Sequence, residues 1–341
     1  MLELTIRSGL TALAISLAVT PLVKRFAFRI GAVDKPNERK VHEGVMPRLG
    51  GLAMFVSFIL TVFLYLEFSP QLAGLIMANL VIVATGIYDD TREISPKLKL
   101  FGQFIAALIL VEYGFRVQFI TIPFDGGIYY LPRADIIFTV LWIVGITNAV
   151  NLIDGLDGLA AGTATIAAVT ISIVALMTGQ DQAFLIGVIL AFATLGFLRY
   201  NFNPASIFMG DTGSMFLGFN LAALAILGMT KSVTVISLVL PVIILGIPIL
   251  DTLWAIVRRA KRRKPIFEAD KKHLHHRLLH MGLSHRRTVL VIYGANVFLG
   301  IGAVLIQSLG TLSSIIGFVF LVVLMLLFAW RLGALTDSID D

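Results

Sequence analysis

The chain has 341 residues, of which 57% are hydrophobic and 14% are charged, and it carries a formal net charge of +6. Water-soluble domains contain about a quarter charged residues, so we expect a polytopic helical membrane protein rather than a water-soluble enzyme. The absence of cysteine excludes disulfides, thiolate metal sites and cysteine nucleophiles. Because the basic residues are distributed among the connections between apolar runs, we expect no nucleic-acid partner.

Apolar runs near the roughly 20 residues needed to cross a bilayer recur along the whole chain. They predict an all-α fold with about eleven transmembrane helices in a single membrane domain, residues 1–341. The predicted helices are 5–24, 49–67, 71–88, 98–114, 134–150, 156–178, 183–199, 213–229, 232–254, 288–308 and 311–331.

The distribution of basic residues predicts the orientation. The first apolar run has one basic residue at its start and several after its end, whereas a cleavable signal peptide carries its positive charge in front. We therefore expect a retained helix with the N-terminus outside. Most Lys and Arg residues fall on the opposite set of connections, which the positive-inside rule places in the cytoplasm with the C-terminus. The exceptions among the 27 Lys and Arg residues are Arg7, Arg116, Arg133 and Lys231.

The connections differ in their polar content. The outer connection 115–132 alternates apolar residues around Asp125-Gly126-Gly127, which predicts a small β-hairpin on the outer surface. Nearly every candidate for chemistry lies in five cytoplasmic connections, which predicts one site at that face. These connections are residues 33–51, 88–103, 148–158, 199–214 and 258–280.

Two of these segments present carboxylates at helix ends. Asp89 and Asp90 close an apolar helix, and adjacent like charges raise one pKa or attract a cation. The alternative is a solvated surface pair. In "FMGDTGS", Asp211 lies among small residues at a helix start, where an anion binds well. A carboxylate there repels phosphate unless a cation bridges them, although an ordinary N-cap is the alternative.

The segment "NAVNLIDGLDGLAAG" places Asn148, Asn151, Asp154 and Asp157 at three-residue spacing, so neighbouring pairs converge on one side of a helix end. The intervening glycines allow close backbone approach to a ligand. A polar helix cap is the alternative, and a calcium loop is less favoured because its full spacing is missing. Oxygen ligands without soft donors indicate Mg2+, with Mn2+ as the second choice.

The last cytoplasmic connection combines basic residues with histidines. Its first part, 258–264, is typical of contact with anionic lipid. We interpret the imidazoles as hydrogen-bond donors to phosphate or sugar oxygens, because the carboxylates and amides elsewhere favour an oxygen-ligated ion over zinc. The residues concerned are His273, His275, His276 and Arg277, and Lys40, His42, Arg48 and Lys99 add positive charge on the same face.

Acidic residues for a divalent ion, basic residues for phosphates and glycines for close approach suit phosphoryl transfer, which depends on positioning and charge neutralisation. At a membrane surface the acceptor is then a lipid phosphate and the donor a soluble diphosphate. An ion-coupled transporter is less favoured, because transporters place ionisable groups near the bilayer midplane. A non-catalytic lipid-binding scaffold explains the basic loop but not the carboxylates.

The ordered motifs "YDD", "NxxNxxDGxDGL", "NPAxxFMGDTGS" and "HLHH" resemble the polyprenyl-phosphate N-acetylhexosamine-1-phosphate transferases over essentially the whole chain. The MraY branch of that family carries three consecutive histidines, whereas "HLHH", "DKPNERKVH" and "PRLGG" are similar to the WecA/TagO branch. The resemblance implies transfer of GlcNAc-1-phosphate from UDP-GlcNAc to undecaprenyl phosphate, with release of UMP, at the start of teichoic acid or other envelope glycan synthesis. Another UDP-N-acetylhexosamine, including the MraY donor of phospho-MurNAc-pentapeptide, is the alternative. A homodimer is also implied.

By motif match, Asp211 and Asn151 resemble magnesium ligands, and Asp89 resembles a candidate base that Asp90 supports. Lys99 matches a lysine that contacts the pyrophosphate. A phosphate monoester has its second pKa near about 6, so Asp89 is either a base or an orienting group in a direct displacement. The other predicted substrate-binding residues are Asn148, Asp154, Asp157, Asn201, Phe208 (suited to stack near uracil), Gly210, His273, His275, His276, Arg277, Lys40, His42 and Arg48.

Overall fold

The computed structural model describes residues 1–34, 44–121, 128–132, 134–229, 239–261 and 273–331. This part of the chain is almost entirely helical, as the apolar runs predict. Its helices are α1 (Leu2–Ile30), α2 (Gly50–Tyr65), α3 (Pro70–Arg92), α4 (Pro96–Glu112), α5 (Asp135–Leu152), α6 (Leu159–Met177), α7 (Asp181–Asn201), α8 (Gly210–Met229), α9 (Val239–Ile244), α10 (Gly246–Lys261), α11 (Leu274–His280), α12 (His285–Gln307) and α13 (Thr311–Arg331).

Two small antiparallel sheets accompany the helices. Strand β1 (Val33–Asp34) pairs with β2 (Met46–Pro47), and β3 (Phe119–Thr121) pairs with β4 (Ile128–Tyr130). The second pair confirms a hairpin within 115–132. Its predicted tip, including Asp125, lies outside the described residues, and its position on the outer surface stays a prediction.

Within the described residues, eight helices are long and apolar enough to cross a membrane. Helix α2 is apolar but has only 16 residues, which extend about 24 Å, against a hydrocarbon core of about 30 Å. A multi-pass membrane protein is therefore confirmed, whereas the total of eleven spans and the orientation stay predictions.

The predicted helix 232–254 is wrong as one continuous element. Residues 230–238 lie outside the described part, and the remainder is divided into α9 and α10 at Leu245. Pro248 explains the interruption, because proline has no N–H to donate to the carbonyl of residue 244. The short helix α11 also lies where a continuous polar connection was predicted.

Helix α3 continues beyond the predicted boundary at residue 88 as far as Arg92. Asp89 and Asp90 therefore occupy its last turns rather than a connection, and their spacing along the helix directs their side chains differently. This difference decides their contacts in the site.

The core of the molecule is centred on α8, which packs against α2, α3, α5, α6 and α7. Phe216 and Phe219 of α8 are completely buried, and Phe58 of α2 packs edge-on against Phe216 with ring centroids 5.6 Å apart. Close packing on most sides leaves the first turn of α8 in a defined position at one end of the bundle.

Candidate active site

Three charged side chains from three helices meet at this end of the bundle. Asp89 lies near the end of α3, Lys99 near the start of α4 and Asp211 in the first turn of α8. The Lys99 ammonium lies 2.6 Å from Asp89 Oδ2 and 3.2 Å from Asp211 Oδ1. One cation is therefore shared by two carboxylates that the chain supplies from separate elements.

Asn151, near the end of α5, joins the same group. Its Nδ2 donates to Asp211 Oδ1 over 2.6 Å and to Ser214 Oγ over 2.7 Å. These bonds orient the Asp211 carboxylate and bring a fourth helix to the site. The structure thus brings Asp89, Lys99, Asn151 and Asp211 together at one point, and their roles in the reaction stay predictions.

Asp90 has a different environment from Asp89. Its Oδ1 accepts a hydrogen bond from the backbone N–H of Asp211 at 2.9 Å, and its Oδ2 accepts from the N–H and the hydroxyl of Thr212 at 3.0 and 2.6 Å. The first N–H groups of a helix have no partner within the helix, so Asp90 caps α8 from a neighbouring helix. Gly210, at a φ of 70°, lies against this carboxylate, and a Cβ there would overlap it.

These contacts give Asp90 a positioning function. Both of its carboxylate oxygens are occupied by the first turn of α8, and the residue is 2% exposed. The sequence suggested a catalytic pair, but the hydrogen bonds indicate that Asp90 acts on the site through the placement of Asp211.

Arg48 follows β2 and lies against the C-terminal end of α3. Its Nε donates to the carbonyl of Asp90 at 3.2 Å, and its Nη2 lies 3.6 Å from Glu93 Oε1. A cation at a helix C-terminus is favoured by the helix dipole, so Arg48 stabilises the end of α3. Its contact with substrate stays a prediction, and Lys40 and His42 lie outside the described residues.

The segment before α8 is fixed by backbone pairing. The N–H of Phe208 donates to the carbonyl of Pro47 at 2.8 Å, and the N–H of Gly50 donates to the carbonyl of Phe208 at 2.9 Å. This pairing holds the half-buried Phe208 beside the start of α2. Its stacking on a base stays a prediction.

Asn148 lies one turn before Asn151 but faces another partner. Its Nδ2 donates to Gln103 Oε1 of α4 at 2.6 Å and to the carbonyl of Val144 at 2.7 Å. The amide therefore ties α5 to α4 beside the site.

Asp157 and Asn201 join the connection between α5 and α6 to the segment between α7 and α8. Asp157 Oδ2 accepts from Asn203 Nδ2 and from the N–H of Ala205, both at 3.0 Å. Asn201 is 3% exposed, and its Oδ1 accepts from the N–H of Gly158 at 3.1 Å. Their hydrogen bonds indicate a framework that supports the site, and direct contact of either residue with substrate stays a prediction.

Asp154 lies in the connection between α5 and α6 and is half-buried. Burial raises the pKa of its carboxyl well above the usual value, and the negative charges of Asp211, Asp90 and Asp157 raise it further. Four carboxyl groups, those of Asp154, Asp157, Asp90 and Asp211, therefore lie near one another at this end of the bundle. A ligand that supplies positive charge would relieve the repulsion.

The histidine segment, residues 273–277, is held in place by Asp251. The sequence analysis did not include Asp251 among the site residues. Asp251 of α10 accepts from the N–H of Leu274 and pairs with His273 Nδ1, both at 2.9 Å. Since the N-cap of α11 makes no side-chain capping bond, Asp251 fixes the start of that helix. An isolated carboxylate in an apolar helix was the available signal in the sequence.

His275 places the histidine segment directly on the connection that follows α5. A Cβ at position 155 would overlap His275 Nε2, so Gly155 permits this approach. The His275 ring is 2% exposed, with the His276 ring centroid 4.2 Å away. Burial lowers the pKa of His275 to about 3, and the neighbouring His276 lowers it further, so the imidazole is neutral near pH 7. Arg277 is also buried.

The donor set is compatible with a divalent ion. Among the described residues, no three His, Asp or Glu side chains form a metal cluster. Magnesium commonly uses only one or two carboxylates and completes its shell with water and substrate phosphates. Asp89 and Asp211 provide two such carboxylates, and the Lys99 ammonium between them shows where positive charge is held.

Comparison with known proteins identifies the family. The family model described as glycosyl transferase family 4 matches residues 72–229. The "probable undecaprenyl-phosphate N-acetylglucosaminyl 1-phosphate transferase" of Bacillus subtilis (strain 168) is 44% identical over 328 residues, which cover 95% of this chain and 90% of the relative. The chain belongs to this family of polyprenyl-phosphate sugar-1-phosphate transferases.

Other relatives of the transferase differ in their named substrates. The "decaprenyl-phosphate N-acetylglucosaminephosphotransferase" of Mycobacterium tuberculosis (strain ATCC 25618 / H37Rv) is 40% identical over 84% of this chain and 78% of its own length. The "phospho-N-acetylmuramoyl-pentapeptide-transferase" of Bacillus subtilis (strain 168) is 31% identical over 87% of this chain and 95% of its own length. The transferase is thus more similar to the GlcNAc-named relatives, as expected from "HLHH".

Proposed function

We propose that the transferase moves GlcNAc-1-phosphate from UDP-GlcNAc to undecaprenyl phosphate, giving undecaprenyl-diphosphate-GlcNAc and UMP. The observation that carries this proposal is the sharing of the Lys99 ammonium by Asp89 and Asp211, because it places two carboxylates and a cation at one point. The name of the Bacillus subtilis relative supports the choice of sugar and lipid. The product begins a teichoic acid or a related envelope glycan.

The proposed site faces the cytoplasm, at the surface of the membrane. The candidate residues lie at helix ends, and the basic residues flanking those ends support a cytoplasmic orientation. An acceptor whose apolar chain stays in the bilayer can present its phosphate there, while a soluble nucleotide sugar arrives from the water side.

We assign a Mg2+ ion, replaceable by Mn2+, to Asp211 and Asn151, with Asp89 as the neighbouring carboxylate. The ion would neutralise the charge of the diphosphate during transfer. In the structure the Asn151 amide donates to Asp211. Rotation of that amide would turn its oxygen towards the ion, since the two ends of an amide group are nearly isosteric.

The proposed reaction is a direct displacement at phosphorus. An oxygen of the acceptor phosphate attacks the β-phosphorus of the donor, and the bond from that phosphorus to the bridging oxygen breaks, so UMP leaves with the electron pair. Lys99 balances the negative charge of the diphosphate, and Asp89 orients the acceptor or takes its remaining proton. Asp90 holds Asp211 in place through the first turn of α8.

The histidine segment is proposed to select the sugar. His275 lies on the connection that carries Asp154 and Gly155, so the segment forms one side of the pocket. A neutral imidazole donates a hydrogen bond to a sugar hydroxyl without adding positive charge. His276 and Arg277 follow in the same helix.

The test is transfer of label to lipid. Purified transferase is incubated with Mg2+, undecaprenyl phosphate and UDP-GlcNAc that is labelled in the sugar, and the organic phase is counted while UMP is measured in the aqueous phase. We expect equal amounts of labelled lipid and UMP. Asp135→Asn is a matched control and retains activity, because Asp135 pairs with Arg116 and lies about 24 Å along α5 from Asn151. Lipid labelled only from UDP-MurNAc-pentapeptide would contradict the proposed donor.

A further inference from the structure

A reciprocal pair of amides joins α3 and α8 inside the bundle. Asn79 Nδ2 donates to Asn220 Oδ1 at 3.0 Å, and Asn220 Nδ2 donates to Asn79 Oδ1 at 2.7 Å. The second N–H of each amide donates to a carbonyl of its own helix, that of Leu75 or Phe216. Both residues are completely buried, so the pair forms a satisfied polar network within apolar surroundings.

The amide pair lies on the same helix interface as the candidate active site. Asn79, Gly86 and Asp90 fall on one face of α3, because they are separated by seven and four residues. Gly86 packs on the backbone of Thr212, where a Cβ would overlap it. Asp90 binds the first turn of α8 one helical turn further on.

These contacts define a single axial register for two antiparallel helices. From the amide pair to the contact of Gly86 with Thr212, the distance is about 10.5 Å along α3 and about 12 Å along α8, at 1.5 Å per residue. A displacement of either helix by one turn, about 5.4 Å, would separate the amides and move Asp89 away from Asp211.

In a membrane, polar contacts are needed to define the axial register of two packed helices. Lipid tails are as apolar as leucine side chains, so apolar helix faces give little preference for one axial position. A buried amide pair is satisfied in one register only, and a displaced register leaves polar groups unpaired in apolar surroundings. A single buried Asn fixes register in coiled coils for the same reason.

We propose that Asn79 and Asn220 are positioning residues of the active site, which fix the axial register of α3 against α8 and thereby the distance between Asp89 and Asp211. The consequence for catalysis rests on the proposed function, whereas the consequence for register does not. Neither residue touches substrate, and their effect is transmitted along the two helices.

The experiment compares Asn79→Leu/Asn220→Leu with the single variant Asn296→Leu. Asn296 is a matched control, because it is a buried amide on α12 that bonds the carbonyl of Ile292, away from α3 and α8. The chain has no cysteine, so spin labels attach only at introduced cysteines. These are Arg92→Cys, at the last residue of α3, and Ser206→Cys, four residues before the start of α8. Thermal stability, label distance and UMP release are measured on each protein.

We expect the double variant to fold, because replacing a buried polar pair by apolar groups is often tolerated. The distance between its two spin labels should shift, or its distribution broaden, by up to about 5 Å. Its turnover should fall about 10- to 100-fold, because misplaced reacting groups react more slowly. The control should keep the wild-type distance and turnover. Wild-type distance and turnover in the double variant would overturn the proposal, as would an equal loss of turnover in the control.

If the double variant does not fold, Asn79→Gln keeps an amide at the interface and displaces it by one methylene group. A changed label distance with lower turnover then supports the proposal, and wild-type values of both overturn it. Absence of UMP release from the wild-type protein would refute the proposed function alone, because the label distance still reports the register.

Discussion

At the scale of single residues, the carboxylate of Asp211 is 23% exposed and that of Asp90 is 1% exposed. Asp211 lies beside the Lys99 ammonium, whereas Asp90 accepts hydrogen bonds from N–H and O–H donors of α8. The two carboxylates therefore have different surroundings, and substitution of Asp211 should affect the protein differently from substitution of Asp90.

Asp211→Ala should lower metal-dependent UMP release at least about 100-fold, while the protein stays folded. The side chain is partly exposed and pairs with the Lys99 ammonium, so its loss removes charge rather than packing. Turnover, Mn2+ binding by electron paramagnetic resonance and thermal stability in detergent check this. Wild-type turnover would exclude Asp211 as a metal ligand.

His275 should make thermal stability depend on pH. Its pKa is about 3 in the folded protein against about 6.5 in an unfolded chain. The unfolded state therefore binds more protons between these values, and stability is lost as the pH falls from 6.5 towards 3. His275→Gln should lose less stability than the wild type between pH 7.5 and 5. His280→Gln, an exposed change on the same helix, should behave as the wild type, and equal slopes in all three proteins would contradict the assignment.

At the scale of elements, the helix ends are held by side chains from other helices. Asp90 of α3 caps α8, and Asp251 of α10 holds the start of α11. Apolar runs and polar motifs predicted the helices and the segments that carry Asp89 and Asp211. These caps were not predictable from sequence alone, because each depends on the packing of distant segments. The interruption at Leu245 does not follow from the apolar run, because Pro248 lies inside that run and its length alone favours one continuous helix.

Asp90→Ala should reduce both stability and turnover. It leaves two backbone N–H groups and one hydroxyl of α8 without an acceptor, at a cost of about 1–3 kcal/mol for an unsatisfied buried group. Asp90→Asn keeps one oxygen acceptor and should recover part of both. Thermal denaturation with UMP release measures this, and loss of turnover at wild-type stability in both variants would instead indicate direct contact with the reacting groups.

Asp251→Ala should raise KM for UDP-GlcNAc more than it lowers kcat. The substitution releases the His273 ring and the N–H of Leu274, so the histidine segment loses its fixed position beside Gly155. Steady-state kinetics at varied donor concentration provide the measurement. A fall in kcat with unchanged KM would place the effect on the phosphoryl group rather than on the sugar.

At the scale of the whole molecule, the membrane makes the helices predictable from the sequence but leaves their contacts with one another unpredictable. Lengths of apolar runs predicted a multi-pass helical chain, and charge placement predicted that residues as distant as Asp89 and Asp211 share one face. The exact contacts around Lys99 could not follow from those patterns, because apolar helix surfaces pack with little sequence specificity in lipid. Buried amides such as Asn79 and Asn220 provide that specificity.

The central claim is that carboxylates from α3 and α8 gather around one divalent ion at the end of the bundle. The most direct measurement is a crystal structure of the transferase with Mn2+ and UDP-GlcNAc, in which anomalous scattering locates the ion. We predict one Mn2+ peak in contact with Asp211 and the donor diphosphate, beside Asp89 and Asn151, with the sugar towards His275. An ion bound only at the histidine segment, or a donor bound away from Asp211, would contradict this account.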